Sequence, residues 1–248
     1  MVLVAAATLV GAAVQSATGF GFALILSPVL LAMLEPYEAV TALLVLGFAL
    51  NLLLLFGDGG ERGTVRWRAV GPMLLAALPG LGAGLLVLAV ISKPALQLAV
   101  GAAVVVAAIV QARGAPAQAE ARAREPTLGS ACAVGLASGA LTTSTTVSGP
   151  PIVRWLESQR VAPAELRASL AASFLGLSVA GAALLAAGGV LAFEPAVVLP
   201  LLAVTGVGHV VGARLFRGLA PRRFRSALLV LVLGAGAASL VAGIAGLT

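Results

Sequence analysis

The sequence predicts an all-α integral membrane protein built from two inverted-topology repeats. Three observations predict this class. Hydrophobic residues make up 60% of the chain and charged residues only 10%, with a mean hydropathy of +1.12, which is outside the range of soluble domains. The charged residues are clustered, so long charge-free spans lie between them. Finally, the two halves carry similar motifs in the same order.

The charge-free spans define the predicted membrane segments. Each is long enough to cross a hydrocarbon core of about 30 Å, and none alternates like a barrel strand. The first span of each half is long enough to supply one or two segments, so the eight spans predict about 8–10 membrane segments. The spans are residues 1–34, 39–57, 69–92, 94–112, 126–153, 168–193, 195–213 and 226–248.

The first span of each half is predicted to be broken or re-entrant. A straight helix over residues 1–34, rising about 1.5 Å per residue, would be about 50 Å long, which exceeds the membrane core. In the first half we expect interruptions at Gln15–Gly21 and at Ser27–Pro28. In the second half we expect them at Ser138–Gly139 and at Thr142–Pro151.

Composition divides the chain into residues 1–113 as the first membrane repeat, 114–127 as a polar cytoplasmic linker, and 128–248 as the second repeat. The N-terminal span lacks a basic leading region, so we expect it to be a membrane segment and not a removed leader. The single cysteine, Cys132, cannot form an internal disulfide and is predicted to be a packing residue.

The charges also orient the chain. Arginine-rich connections at 62–68, 113–124 and 214–225 are predicted to be cytoplasmic. The loops that contain Glu35, Lys93 and Glu194 are predicted to lie outside, and the loop at 157–167, which contains Arg160 and Arg167, is predicted to be cytoplasmic. Corresponding loops of the two halves then lie on opposite sides, which indicates an inverted repeat. Both termini lie outside if the broken spans return or cross twice. Because the basic residues lie in short loops, the formal charge of +6 does not indicate nucleic-acid binding.

The interrupted spans contain the candidate binding site. Paired interrupted segments in two halves are the best sequence pointer to a transporter's site. Half-helix N-termini and glycine-rich backbone can bind an oxyanion without a buried charge. The candidate binding residues are Gln15, Ser16, Thr18, Gly19, Phe20 and Gly21, then Asn51, then Thr142, Thr143, Ser144, Thr145, Thr146, Ser148, Gly149 and Pro150.

Several of these residues allow a second interpretation. The hydroxyls of Thr142–Ser148 could simply pack helices closely, and Asn51 could form an interhelical hydrogen bond. His209, the only histidine, could carry a proton or contact an anion, or it could be a neutral packing residue. Arg154 could attract anions or anchor its helix at the interface. No metal ligand set and no cofactor is predicted.

Two sets of motifs resemble the sulfite exporter TauE/SafE family. They are Gly19-Phe20-Gly21-Phe22 with Ser27-Pro28-Val29-Leu30-Leu31, and Ser148-Gly149-Pro150-Pro151-Ile152-Val153 with the Pro163–Arg167 turn. The resemblance covers nearly the whole chain. It implies a multi-pass protein of the bacterial inner membrane that exports or exchanges sulfite or organosulfonates such as sulfoacetate. Alternating access would occur at a midplane site. A coupling proton or sodium ion and the oligomeric state are left open.

Three other functions are considered. The first is a permease for another small solute or for a metal cation. A metal permease would need acidic, histidine or methionine ligands in the core, whereas the acidic residues of this chain lie at span ends or in loops. An intramembrane protease would need a serine and a base, such as Ser138 and His209. Leu136 stands where that nucleophile motif has glycine, so we expect no enzyme. A structural membrane-assembly role would leave the two broken, hydroxyl-lined spans unexplained.

Overall fold

The computed structural model describes residues 1–57, 63–113, 125–215 and 221–246, and these ranges contain helices and no strand. The all-helical class predicted from composition is confirmed. The helices are α1 (Val2–Thr18), α2 (Phe22–Met33), α3 (Pro36–Phe56), α4 (Trp67–Val90), α5 (Lys93–Arg113), α6 (Leu128–Ser144), α7 (Gly149–Glu157), α8 (Pro163–Ala187), α9 (Pro195–Leu215) and α10 (Pro221–Ala245).

Proline and capping side chains set several of the helix starts. Helices α3, α8, α9 and α10 each begin at a proline, whose missing N–H would have no partner in a first turn. Glu35 and Glu38 form a capping box at the start of α3. Thr127 caps α6 by accepting a hydrogen bond from the backbone N–H of Ser130 at 3.2 Å.

Within the described ranges, four helices are long and apolar enough to cross a membrane: α3, α4, α8 and the Pro195–Arg214 part of α9. Shorter apolar helices include α1 and α2. These lengths support a multi-pass membrane protein. The predicted linker at 114–127 lies mostly outside the residues that the structure describes.

In the first half, α1 ends at Thr18 and α2 begins at Phe22. Gly19 (φ +89°) and Gly21 (φ +116°) between them adopt left-handed conformations that favour glycine. The predicted second interruption at Ser27–Pro28 is wrong, because α2 continues through both residues. Pro28 removes one backbone donor, but it is buried among neighbouring helices that hold the segment in place.

In the second half, α6 ends at Ser144 and α7 begins at Gly149, with Thr146 between them at φ +61°. The predicted interruption at Ser138–Gly139 is wrong, because α6 runs through it. Gly139 instead lets α6 approach the carbonyl oxygen of Ala77 on α4 so closely that a Cβ would collide with it. Its small size serves helix packing and does not break the helix.

Four helix pairs dominate the packing: α1 with α9, α3 with α8, α4 with α6, and α5 with α10. Glycines on α4 and α9 allow two of these pairs to approach closely. Gly80 and Gly84 lie against the carbonyl oxygens of Leu136 and Ala140 on α6. Gly208 and Gly212 lie in the same way against Leu9 and Ala13 on α1. In both pairs the numbers rise together, so these helices run parallel.

The other two pairs are antiparallel. On α3, Thr41 Oγ1 accepts from the backbone N–H of Ala192 just after α8, whereas Gly47, further along α3, faces Ser178. For α5 and α10, Gly101 packs against Gly236 and Pro94 against Gly246. Residue numbers therefore rise in one helix as they fall in its partner.

Loops that the charge pattern assigns to the same side of the membrane lie at the same end of the helix bundle. Lys93 Nζ lies 3.0 Å from Glu35 Oε1, so these two loops meet at one end. At the other end, the backbone N–H of Arg66 donates to Ser169 Oγ at 3.0 Å. The clusters at 113–124 and 217–225 lie outside the residues whose side chains the structure describes. Which end faces the cytoplasm stays a prediction.

Candidate functional site

A cavity lies where α1, α2, α3, α6, α7 and α8 meet. Its empty space, including the part open to solvent, is about 580 Å³. Eight sequence-predicted residues line it: Gln15, Phe20, Gly21, Asn51, Thr142, Thr146, Ser148 and Gly149. The breaks between α1 and α2 and between α6 and α7 therefore border one cavity.

The remaining predicted residues do not line the cavity, and most of them are sequence neighbours of residues that do. Thr18 donates to the carbonyl of Phe20 at 2.7 Å, and Ser144 and Thr145 donate to carbonyls one turn back on α6. Gly19 packs against the side chain of Arg167. Pro150 is in the first turn of α7, where it offers no N–H.

Ser16 and Thr143 face neighbouring helices. Ser16 Oγ lies 2.9 Å from His209 Nδ1, between α1 and α9. Thr143 Oγ1 donates to the carbonyl of Leu81 at 2.7 Å, between α6 and α4. Arg154 is exposed in the last turn of α7, where a positive charge interacts favourably with the helix dipole. None of these four side chains lines the cavity.

A buried amide network supports one wall of the cavity. Gln15 Nε2 donates to Asn51 Oδ1 at 2.9 Å, and Gln15 Oε1 accepts from the backbone N–H of Phe22 at 3.2 Å. Asn51 Nδ2 donates to the carbonyl of Gly47 at 2.7 Å. The network ties α1 to α2 and α3. Since each amide nitrogen carries two hydrogens, Gln15 and Asn51 each keep one N–H beyond these bonds.

Backbone donors at two helix starts also reach this cavity. The first three N–H groups of α2 have no partner within the helix, and only that of Phe22 is taken up, by Gln15. Ala23 and Leu24 line the cavity, and their N–H groups have no partner in the described part of the chain. Gly149 contributes a third such N–H at the start of α7.

Two cavity hydroxyls lack a hydrogen-bond partner among the described residues. Ser148 and Ser178 are each 7% exposed and line the cavity, and neither forms a hydrogen bond there. The two threonines in the lining differ from these serines, because both threonine hydroxyls already donate to backbone carbonyls. Thr142 donates to the carbonyl of Ser138 at 2.7 Å, and Thr146 donates to the carbonyl of Thr145. Among the hydroxyls that line the cavity, those left to donate to a ligand are therefore the two serine hydroxyls.

The rest of the lining is apolar and uncharged. Phe20 and Phe174 converge on Gly149, where an added Cβ would lie 3.9 Å and 3.6 Å from their rings. Further apolar contacts come from Phe22, Leu24, Leu43, Leu44, Val147 and Leu177. The cavity thus combines an apolar wall with neutral hydrogen-bond donors.

Sequence reasoning did not select Phe174 and treated Ser178 as remote from the site, but both residues lie on α8 and line the cavity. The sequence contains a signal for Ser178. Pro36 and Pro163 begin α3 and α8, and counting from these prolines places Ser178 level with Asn51. A polar residue at the position that matches Asn51 was therefore detectable from the repeat.

The pair considered for an intramembrane protease is not assembled. His209 bonds Ser16, whereas Ser138 Oγ is buried and has no partner among the described residues. Within the part of the chain that the structure describes, no base is hydrogen-bonded to Ser138.

Comparison with known proteins supplies the family. The chain matches the model of the family described as sulfite exporter TauE/SafE over residues 3–239, which includes both halves and every helix that borders the cavity. No curated protein and no solved structure matches the chain. Because the family match spans nearly the whole sequence, the chain belongs to the sulfite exporter TauE/SafE family of membrane transporters.

Proposed function

We propose that this protein exports small sulfur-containing oxyanions, such as sulfite or an organosulfonate, across the bacterial inner membrane. One observation supports this proposal above the others. At the same cavity meet N–H groups at the starts of α2 and α7 and two serine hydroxyls, none of which has a hydrogen-bond partner among the described residues. The predicted partners are one small anion and the lipid bilayer.

The donor set favours an anion over a cation. A helix N-terminus carries roughly half a positive charge, which stabilises a nearby anion by about 0.3–2 kcal/mol. A hydrogen bond to a charged group contributes about 1.5–3 kcal/mol. Hard cations are bound by carboxylate, carbonyl and water oxygens, and the lining contains no carboxylate. The metal-permease alternative therefore has less support than the anion transporter.

The inverted repeat belongs to the same proposal. A shift of 127 residues, the difference between Pro36 and Pro163, also relates Phe22 to Gly149 at the starts of α2 and α7. In an inverted repeat, a helix and its own counterpart run in opposite directions. The antiparallel pairs α3 with α8 and α5 with α10 fit this requirement.

Interhelical contacts also repeat between the halves, with a shift of 127 residues between α1 and α6 and of 128 residues between α4 and α9. Gly80 faces Leu136, and the corresponding residues Gly208 and Leu9 face each other. The hydrogen bond of Thr143 to Leu81 corresponds in position to that of Ser16 with His209. Such repetition supports two structurally related halves, with alternating access as movement of one set of helices against the other around the cavity.

Re-entrant first segments are the remaining part of the proposal. Trp155 near the end of α7 donates through Nε1 to Ser130 near the start of α6 at 3.1 Å, so α7 returns alongside α6. At about 1.5 Å per residue, the 17 residues of α6 extend about 25 Å, which is less than a full crossing. A hairpin that ends inside the membrane explains both features.

Counterflow in proteoliposomes tests the function. Proteoliposomes that contain the purified protein and are preloaded with sulfite or methanesulfonate should accumulate radiolabelled sulfite. Preloaded liposomes without protein should not. Parallel experiments would follow sodium and divalent metal ions. Protein-dependent movement of a metal ion, with no exchange of either sulfur anion, would contradict the anion proposal and favour the metal permease.

A further inference from the structure

We propose that the cavity accepts singly charged oxyanions and excludes doubly charged ones. This inference rests on the proposed function and adds the charge state of the substrate. Its starting point is that no Arg, Lys, Asp or Glu is among the residues that line the cavity. Arg167, which packs against Gly19, is not in the lining either.

The positive field in the cavity comes from two helix starts. The N-termini of α2 and α7 border it, and each is equivalent to roughly half an elementary charge. Together they amount to about one positive charge. A single negative charge is therefore matched, whereas a second has no counterpart in the lining.

Dehydration strengthens this discrimination. The charging free energy of an ion grows with the square of its charge, so a dianion loses about four times as much hydration as a monoanion of similar size. The apolar wall formed by Phe20, Phe22 and Phe174 cannot replace that hydration. The neutral donors of Ser148 and Ser178 can replace only part of it.

The sulfur oxyanions separate clearly by this criterion. Hydrogen sulfite and alkylsulfonates such as methanesulfonate carry one charge, whereas sulfate and fully ionised sulfite carry two. Sulfite exchanges between its two forms near neutral pH. The expected substrate is therefore hydrogen sulfite or a singly charged alkylsulfonate, and sulfite should be recognised in its protonated form. Sulfoacetate, whose carboxylate and sulfonate carry one charge each, should be excluded.

Binding at two pH values provides the test. Calorimetry on the purified wild-type protein would compare methanesulfonate, sulfate and sulfite in mildly acidic and mildly alkaline buffer. We expect methanesulfonate to bind with the same affinity at both pH values, because its charge does not change between them. It is the control for titration of the protein itself. Sulfate should bind at least about tenfold more weakly. The affinity for sulfite should fall in alkaline buffer in proportion to the loss of hydrogen sulfite.

Equal binding of sulfate and methanesulfonate, or sulfite binding that does not change with pH, would overturn the inference and leave the proposed function standing. If none of the three anions binds the folded protein, the proposed function itself fails. A gain of function adds an independent readout. Ser178→Lys should raise the affinity for sulfate relative to methanesulfonate by about tenfold, compared with Ser178→Met, which has similar length and no charge.

Discussion

Removing the hydroxyl of Ser178 tests the donor set directly, because this hydroxyl has no hydrogen-bond partner among the described residues. Ser178→Ala takes away one donor from the cavity and leaves every hydrogen bond between described residues in place. The change is therefore expected to affect ligand binding and not folding. Several other buried serines of the described ranges lack that property, because Ser144 and Ser173 donate to carbonyls of their own helices and Ser27 and Ser239 donate to carbonyls of other segments.

The magnitude follows from the charge of the ligand. A hydrogen bond to a charged group contributes about 1.5–3 kcal/mol, so its loss should weaken methanesulfonate binding by about ten- to hundredfold. Thr142→Val is expected to have a much smaller effect, less than about threefold. The Thr142 hydroxyl already donates to the carbonyl of Ser138, so it is not free to donate to a ligand.

The assay is calorimetric titration with methanesulfonate, paired with a thermal unfolding curve for each variant. Ser173→Ala is the matched control. It lies on the same helix as Ser178, it is buried, and its hydroxyl donates to the carbonyl of Ser169 and not into the cavity. We expect wild-type affinity for this control.

Two results would refute the reasoning. If Ser178→Ala binds as tightly as wild type, its hydroxyl does not contact the anion. If Thr142→Val loses more affinity than Ser178→Ala while both remain folded, the threonine cluster predicted from the sequence would be the true donor set, and the cavity geometry would be misassigned.

Three further predictions address the charge, the packing and the topology. Gln15→Glu keeps an acceptor for the N–H of Phe22 but adds a negative charge to the cavity, so methanesulfonate should bind at least about tenfold more weakly; unchanged affinity would contradict an anion site. Gly84→Ala should lower the free energy of unfolding by about 1–3 kcal/mol, because its Cβ would collide with α6, whereas Gly82→Ala on the same helix meets no atom within 4 Å and should be neutral or stabilising in thermal unfolding. In a Cys132→Ala background, Lys93→Cys should react with an impermeant maleimide from outside and Glu165→Cys only from inside; labelling of both from one side would exclude the proposed orientation.

The helical class and the positions of most helices could be predicted because lipid imposes simple requirements on sequence. A membrane segment must be apolar over about 20 residues and must satisfy its own backbone. The charge-free span 39–57 accordingly contains most of α3, and 69–92 contains most of α4. No comparable rule distinguishes a proline or glycine that breaks a helix from one that packs it. Pro28 and Gly139 were misjudged for this reason.

The candidate site was only partly predictable. Gln15 and Gly149 were selected because they lie at chain interruptions, and the structure places both at the cavity. Whether a hydroxyl is free depends on local geometry that the sequence does not show. Thr145 and Thr146 have the same side chain as other candidate donors, yet each donates to a carbonyl of α6 or of the loop that follows it. Ser178 was missed because its neighbours in sequence are ordinary helix residues.

The contact between α1 and α9 has a consequence for how the protein is made. Gly208 and Gly212 on α9 approach Leu9 and Ala13 on α1, although roughly 200 residues separate them in the chain. At translation rates of about 5–20 residues per second, α1 must wait roughly 10–40 s for this partner. The buried side chain of Ser16 on α1 remains without its α9 partner, His209, during that interval. Insertion of the first helix and its final packing are therefore separate events in the biogenesis of this protein.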